Sequence, residues 1–282
     1  MDENPKMTLR EALTQAKPVV SNLFGRGSRD RPEILGVRPV TRITRWDDFC
    51  MKTLNDEYGP LLDREMSASA CASVPKAESE LFDIKIRKLT DIPHLIQWND
   101  KMVNATLSWA KDECELCPGL ELQTNAVVPN AISSSLDHWI ALDNVMLQPL
   151  VNGMAWLSST IKTRKIFNGV NELSNVESRP LQQLAYISQR ARYGYIMTDR
   201  DLLVCRFSKA PSGDNFEVSL MLVPWSASGS SLTTDLAIWW LCMKALSEKN
   251  RELQSARNND FWELIYGATD EDALQNFHYD SK

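Results

Sequence analysis

The sequence predicts an α/β protein whose mixed central sheet is flanked by helices. Two observations carry this prediction. Apolar residues recur at helical spacing over residues 91–112 and 232–252. Between these two segments lie several short apolar runs of strand type, which a third helical segment divides into two groups of three. Helices that alternate with groups of strands in this way are typical of one sheet covered by helices.

Before this region, the chain contains shorter helical segments. Residues 8–17 predict a helix, because Thr8 and Glu11 have the spacing of a capping box. Residues 46–65 also carry apolar side chains at helical spacing. Residues 66–77 are small and polar, which favours a linker. We therefore predict two parts, an N-terminal extension that is partly helical and partly flexible, and a main domain: residues 1–77 and 78–282.

The first group of strands lies in the middle of the chain. Residues 119–128 alternate between apolar and polar side chains and predict a strand. Two further apolar runs, at residues 144–151 and 154–162, are separated by Asn152-Gly153. Asn-Gly between two apolar runs is a strong signal for a tight hairpin turn. We therefore predict a hairpin that ends at Lys162.

The second half continues with one helix and the second group of strands. Residues 180–191 predict a helix with Pro180 in its first turn. A connection through this helix predicts parallel pairing between the preceding and following strands. The later segments predict three strands and a closing helix. Their ranges are 193–198, 202–208, 216–225 and 232–252.

The charge is unevenly distributed along the chain. The 282 residues carry a net charge of −6, which argues against a general nucleic-acid binder. However, residues 162–209 hold nine basic and four acidic side chains, a local charge of +5. Residues 1–45 carry +4 and residues 248–282 carry −4. A basic surface is therefore compatible with the acidic total.

Composition also indicates where the protein resides. No run approaches ~20 apolar residues, so we expect no membrane span. The N-terminus is charged and lacks the apolar core of a secretory signal. Six widely spaced cysteines then favour reduced thiols in an intracellular protein, in the nucleus or the cytoplasm. Cys114 and Cys117 have half of a zinc-site spacing without a second half, so we expect ordinary thiols there.

Three stretches of the second half resemble the PD-(D/E)XK nuclease-like superfamily, in particular a group of fungal proteins with that fold. They include SRPLQQLAYISQRARYGYIMTDRDLLVCRFSK, VPWSASG and LTTDLAIWWLCMKAL, at residues 178–209, 223–229 and 232–246. The resemblance covers about a third of the chain. It implies a restriction-endonuclease-like core with a helical N-terminal extension, and it carries fold better than activity.

The resemblance also implies a site. Members of this superfamily hold a divalent cation, normally Mg²⁺, with a carboxylate pair, and a lysine two residues after the second acid orients the attacking water. On this pattern Asp143 is the first acid and metal ligand, and Lys162 is the lysine. Thr160 stands where the second acid is expected. A neutral hydroxyl compensates a cation poorly, so Glu121 or Asp137 would have to replace the missing carboxylate.

Further residues of the implied site lie on the helix and beside it. Gln182 and Tyr186 match the Gln-x-x-x-Tyr pattern of RecB-like members and lie on one helix face as supporting catalytic residues. Four basic side chains are candidates for phosphate contacts. They are Arg164, Lys165, Arg190 and Arg192.

Two functions remain open from the sequence. The first is a nuclease-like protein with a degenerate metal site that binds nucleic acid and cleaves it weakly or not at all. If it is active, it is a metal-dependent phosphodiester hydrolase with Mg²⁺ as cofactor. The alternative is a non-catalytic scaffold, a pseudo-nuclease that binds a protein partner. The acidic total and Thr160 both suit this alternative.

Overall fold

The computed structural model describes residues 6–22, 40–82, 84–86, 91–126, 137–143, 148–169, 175–187, 191–209 and 216–247. The helices in these ranges are α1 Leu9–Leu13, α2 Met51–Leu62, α3 Ala68–Ser73, α4 Ala77–Glu80, α5 Pro93–Glu113, α6 Thr163–Asn168, α7 Asn175–Ile187 and α8 Thr234–Leu246. The strands are β1 Ser21–Asn22, β2 Val40–Arg45, β3 Lys85–Ile86, β4 Glu121–Ala126, β5 His138–Asp143, β6 Gln148–Ala155, β7 Tyr193–Met197, β8 Asp201–Lys209 and β9 Phe216–Pro224.

The predicted α/β fold with a mixed sheet flanked by helices is confirmed. Seven strands form the main sheet in the order β2-β9-β8-β7-β6-β5-β4. Strands β4, β5 and β6 pair antiparallel, as do β7, β8 and β9. Strand β7 is parallel to β6, as the sequence predicts for a connection through α7, and β2 is parallel to β9. Both ends of the sheet therefore carry a mixture of strand starts and strand ends.

A hydrophobic core covers each face of this sheet. The larger core contains α5 and α8 with the apolar residues of α1, α2 and α3. The smaller core lies beneath α6 and α7. Successive side chains of β7 enter different cores, as expected for a strand. Tyr195 points into the larger core and Ile196 into the smaller one. Helix α8 lies so deep that its apolar side chains are buried on every side.

The N-terminal region agrees with the sequence only in part. The capping box of α1 is confirmed, because Thr8 and Glu11 each bond the backbone of the other. Residues 66–77, however, are not a linker. They contain α3 and the start of α4, and Cys71 and Ala77 are buried in the larger core. Small side chains here permit close packing against neighbouring elements, and α3 contacts α5.

The predicted hairpin around Asn152-Gly153 is wrong. Both residues lie inside the single strand β6, which ends at Ala155 and does not reach Lys162. The true partner is β5, whose residues the sequence did not predict as a strand. A Cβ atom at Gly153 would lie 2.3 Å from the Tyr195 ring, so glycine here makes room for an aromatic side chain on β7. Helix α7 also starts earlier than predicted and contains Pro180 in its interior.

A buried ion pair joins the N-terminal region to α8. The Lys17 Nζ lies 3.0 Å from Asp235 Oδ2, and both side chains are fully buried. The other oxygen of Asp235 accepts hydrogen bonds from Trp98 Nε1 at 3.0 Å and Asn99 Nδ2 at 2.7 Å, both on α5. Burial lowers the pKa of Lys17, and the attraction of Asp235 opposes this effect. Three separate segments therefore meet at one carboxylate.

Replacing Lys17 with Met is expected to lower the free energy of unfolding by about 3–5 kcal/mol, because Asp235 then keeps an uncompensated buried charge. Urea denaturation measures this value. Lys52→Met is the matched control, since Lys52 pairs with Asp56 on the exposed face of α2. That variant should unfold almost like the parent protein. Equal losses in both variants would contradict the role of the buried pair.

Gly153→Ala is expected to cost about 1–3 kcal/mol, because the new methyl group overlaps the Tyr195 ring. A double-mutant cycle with Tyr195→Ala tests the cause. The three atoms nearest to the added methyl group all belong to Tyr195, so most of the cost should vanish when the ring is removed. An unchanged cost in the Tyr195→Ala background would show that the backbone of β6, and not the ring, requires glycine.

Candidate functional site

The structure does not bring Asp143 and Lys162 together. Asp143 is the last residue of β5, is exposed, and accepts a hydrogen bond from Gln123 Nε2 at 2.8 Å. Lys162 follows the far end of β6, because β5 and β6 are antiparallel and His138 lies opposite Gly153. The six residues of β5 span roughly 20 Å. The predicted pairing of these two residues in one site is therefore wrong.

The two acids considered as replacements lie at different ends of the sheet. Glu121 pairs with Asp143 across the strands and shares its end. Asp137 directly precedes β5, at the end where β6 leaves toward Lys162. It is buried, and its Oδ2 accepts the backbone N–H of Ala155 at 2.6 Å. Its carboxylate therefore ties the first residues of β5 to the last residue of β6.

Two other acids lie at this same end, Asp199 in the turn after β7 and Asp201 as the first residue of β8. Both are buried. Asp199 accepts bonds from the backbone N–H and the hydroxyl group of Ser158, each at 2.7 Å. Asp201 accepts bonds from Thr163 Oγ1 at 3.2 Å and Arg164 Nη2 at 3.4 Å. Together they hold the segment that leads from β6 into α6.

Three cations lie on this anchored segment. Lys162, Arg164 and Lys165 are exposed at the start of α6, and we call them the cationic surface. The Arg164 side chain stays 70% exposed although it contacts Asp201, so its charge faces solvent. Lys162 Nζ also donates to the Ser158 carbonyl at 3.3 Å. Buried acids thus fix the backbone from which these basic side chains project.

The residues of this region do not fit a magnesium site built on Asp143 and Lys162. Mg²⁺ needs several oxygen ligands at about 2 Å, and Asp143 stands at the other end of β5. Asp199 and Asp201 use their oxygens for protein donors. Thr160 is exposed in the turn before Lys162. Within the described ranges, no three His, Cys, Asp or Glu side chains lie close enough together to hold a metal ion.

The remaining predicted residues are distributed over other places. Gln182 donates to Ser178 Oγ at 2.9 Å, one turn earlier on α7. Tyr186 is half-buried and packs on the smaller core. Arg192 precedes β7, at the end of the sheet opposite to the cationic surface. Arg190 lies outside the described residues. The four predicted phosphate-binding residues therefore do not form one surface.

A buried hydrogen-bonded chain crosses the larger core. His138 Nδ1 bonds the Tyr195 hydroxyl group, and its Nε2 lies 3.1 Å from Asp100 Oδ1 on α5. Burial raises the pKa of Tyr195 well above its usual value. Burial also raises the pKa of Asp100, but bonds from His138 and Thr124 outweigh this effect and the net shift is downward. His138 thus connects α5 with the sheet, and no solvent reaches its ring.

No family model, curated protein or solved structure matches this chain. In the described part of the chain, no helix has the length and apolar character needed to cross a membrane.

Asp199→Ala is expected to lower the free energy of unfolding by about 1–3 kcal/mol, because the partly buried Ser158 N–H and hydroxyl group both lose their acceptor. Amide hydrogen exchange followed by NMR localises the effect. The Ser158 amide should exchange much faster in the variant, while the amides of α8 keep their relative protection. Asp63→Ala, which removes an exposed acid, is the control. Unchanged exchange at Ser158 would contradict the anchoring role of Asp199.

Proposed function

We propose that this protein binds nucleic acid through the cationic surface and cleaves it weakly or not at all. The observation that carries the proposal is that Lys162, Arg164 and Lys165 project from a backbone segment which two buried carboxylates fix in place. A backbone segment that is already held in position loses less conformational entropy when its side chains bind phosphate groups. Lysine and arginine side chains are common hydrogen-bond donors to the phosphate oxygens of a polynucleotide.

The order of elements supports a nuclease-like origin for this binding surface. Helix α5 leads into the antiparallel strands β4, β5 and β6, and α7 then leads to the parallel strand β7. This succession agrees with the restriction-endonuclease-like core that the sequence resemblance implies. Thr160 and the distance between Asp143 and Lys162 favour a degenerate site. Recognition of nucleic acid without efficient hydrolysis is the function that combines these features.

Removal of the cationic surface is expected to weaken binding. The variant Lys162→Ala/Arg164→Ala/Lys165→Ala should bind a single- or double-stranded oligonucleotide at least ~10-fold more weakly at low salt. Loss of three phosphate contacts should also reduce the slope of log affinity against log salt by about 2–3. Fluorescence anisotropy over a range of salt concentrations measures both values.

A matched control removes three cations elsewhere. Lys6, Lys52 and Lys76 are exposed and lie in the N-terminal part of the chain. Their replacement with Ala changes the net charge by the same amount and should leave the salt slope nearly unchanged. Equal weakening in both triple variants would indicate non-specific charge attraction. Absence of binding by the parent protein at low salt would exclude the proposed function.

Cleavage is tested separately. Mg²⁺ or Mn²⁺ is titrated against labelled DNA and RNA with the parent protein and with Asp143→Ala. We expect at most slow cleavage, and the same residual rate in the variant, because Asp143 lies away from Lys162. Efficient metal-dependent cleavage that Asp143→Ala abolishes would contradict the degenerate site.

A protein-interaction scaffold is the second candidate, and one observation favours it. Val19 and Phe82 are the large apolar side chains that stand out from the described surface, 82% and 81% exposed. They lie close in sequence to the small parallel pair of β1 and β3. The variant Val19→Ser/Phe82→Ser should leave nucleic-acid affinity unchanged. If the parent protein binds no nucleic acid, these two residues become the first target for mapping a protein partner.

A further inference from the structure

A row of side chains crosses four strands at the end of the sheet away from the cationic surface. Tyr193 on β7 lies opposite Arg206 on β8, Arg206 opposite Ser219 on β9, and Ser219 opposite Thr44 on β2. Residues that are directly opposite in neighbouring strands point to the same face of a sheet. Their side chains thus form one continuous line. Arg206, Ser219 and Thr44 are each partly exposed, so solvent reaches this line.

Two arginines lie against a pair of stacked aromatic rings at one end of the row. Trp46 and Tyr193 stack with ring centroids 6.0 Å apart and planes 7° from parallel. The Arg206 guanidinium group lies 4.6 Å from the Trp46 ring centroid, and that of Arg192 lies 5.9 Å from the Tyr193 ring centroid. Contact with the ring faces stabilises the cations and holds their planes in fixed directions.

The polar groups beside Arg206 present hydrogen-bond donors. Arg206 Nη2 donates to Ser219 Oγ at 3.3 Å, and Thr44 Oγ1 donates to the same oxygen at 3.0 Å. The Ser219 hydroxyl group accepts both bonds and keeps one proton that it can donate. Guanidinium N–H groups and this hydroxyl group together suit an oxyanion, which accepts hydrogen bonds through every oxygen atom.

Electrostatics favours an anion at the same place. Burial lowers the pKa of Arg206, and the nearby positive charge of Arg192 lowers it further. Among the described residues, no carboxylate lies within 4 Å of the Arg206 guanidinium group. Asp48, which is exposed, acts on Arg206 from a greater distance and partly offsets the repulsion. An added anion beside Arg206 would offset this repulsion more completely.

We propose that Arg192, Arg206 and Ser219 form a binding site for a phosphate group, which we call the arginine row site. The bidentate geometry of guanidinium groups suits tetrahedral phosphate, and Ser219 supplies a further donor. The rings of Trp46 and Tyr193 are buried, so they support the arginines and do not stack on a base. The phosphate belongs either to a small phosphorylated compound or to a polynucleotide. This site is separate from the cationic surface and does not rest on the proposed function.

Fluorine NMR of protein labelled with 5-fluorotryptophan tests the proposal. The chain has nine tryptophans, and the Trp46 signal is assigned from a Trp46→Phe variant. Inorganic phosphate is titrated at constant ionic strength, and a short oligonucleotide is titrated in parallel. We expect a saturable shift of the Trp46 signal with at least one of the two. Saturation by inorganic phosphate identifies a small ligand, whereas a response to the oligonucleotide alone identifies a polynucleotide.

The variants separate this site from general charge attraction. Arg206→Met should weaken the response at least ~10-fold. Arg206→Lys should recover only part of it, because an ammonium group lacks the planar fork. Ser219→Ala should weaken binding, and Asp48→Asn should strengthen it by removing a competing charge. Arg200→Met is the matched control, since Arg200 is exposed at the opposite end of β8.

Two results would overturn the proposal. The first is the absence of any saturable shift at Trp46 in the folded parent protein with either ligand. The second is an equal loss of affinity in Arg200→Met and Arg206→Met. The triple variant of the cationic surface should still show the Trp46 shift with the ligand that saturates the site in the parent protein. Failure of nucleic-acid binding is therefore distinguishable from failure of this site.

Discussion

The Asp235 carboxylate is the constraint on which the arrangement of the larger core depends. It receives Lys17 from the segment after α1, and Trp98 and Asn99 from α5, while it occupies the first turn of α8. A negative charge at the start of a helix is favourable in itself. Its full burial is tolerable only because a cation and two neutral donors surround it. The ends of three segments are thereby held at one point.

The mixed sheet places the polar groups at two separate ends. Strands β6 and β7 are parallel, so both end on the side where Asp199 is buried. Strand β8 is antiparallel to β7, so its first residue, Asp201, lies on the same side. The opposite end carries the start of β7 and the row that contains Arg206. The two groups of cations also lie on different faces, because α6 covers the smaller core and Trp46 belongs to the larger one.

Local patterns in the sequence predicted the elements whose signals are local. The capping box of α1 and the strands β7, β8 and β9 follow from adjacent residues, and the structure has them. The predicted turn at Asn152-Gly153 is wrong. Glycine is needed at position 153 because a side chain there would overlap the Tyr195 ring, which belongs to a distant segment of the chain. The same limit applies to the site. Asp199 is buried because it bonds Ser158, which lies 41 residues earlier in the chain. No pattern of residues within either segment predicts this contact.

Total charge is a poor guide to the partners of this protein because its acids and bases have different positions. Asp199, Asp201 and Asp235 are buried and bonded to protein donors, and Lys17 compensates the charge of Asp235. Lys162 and Arg164 are exposed, and the buried acids fix their backbone. A buried carboxylate can therefore anchor a segment that carries exposed cations, although it lowers the net charge. The value of −6 counts these buried acids in the same way as exposed ones, whereas in the structure Asp199 and Asp201 bond residues of one segment and hold it in place.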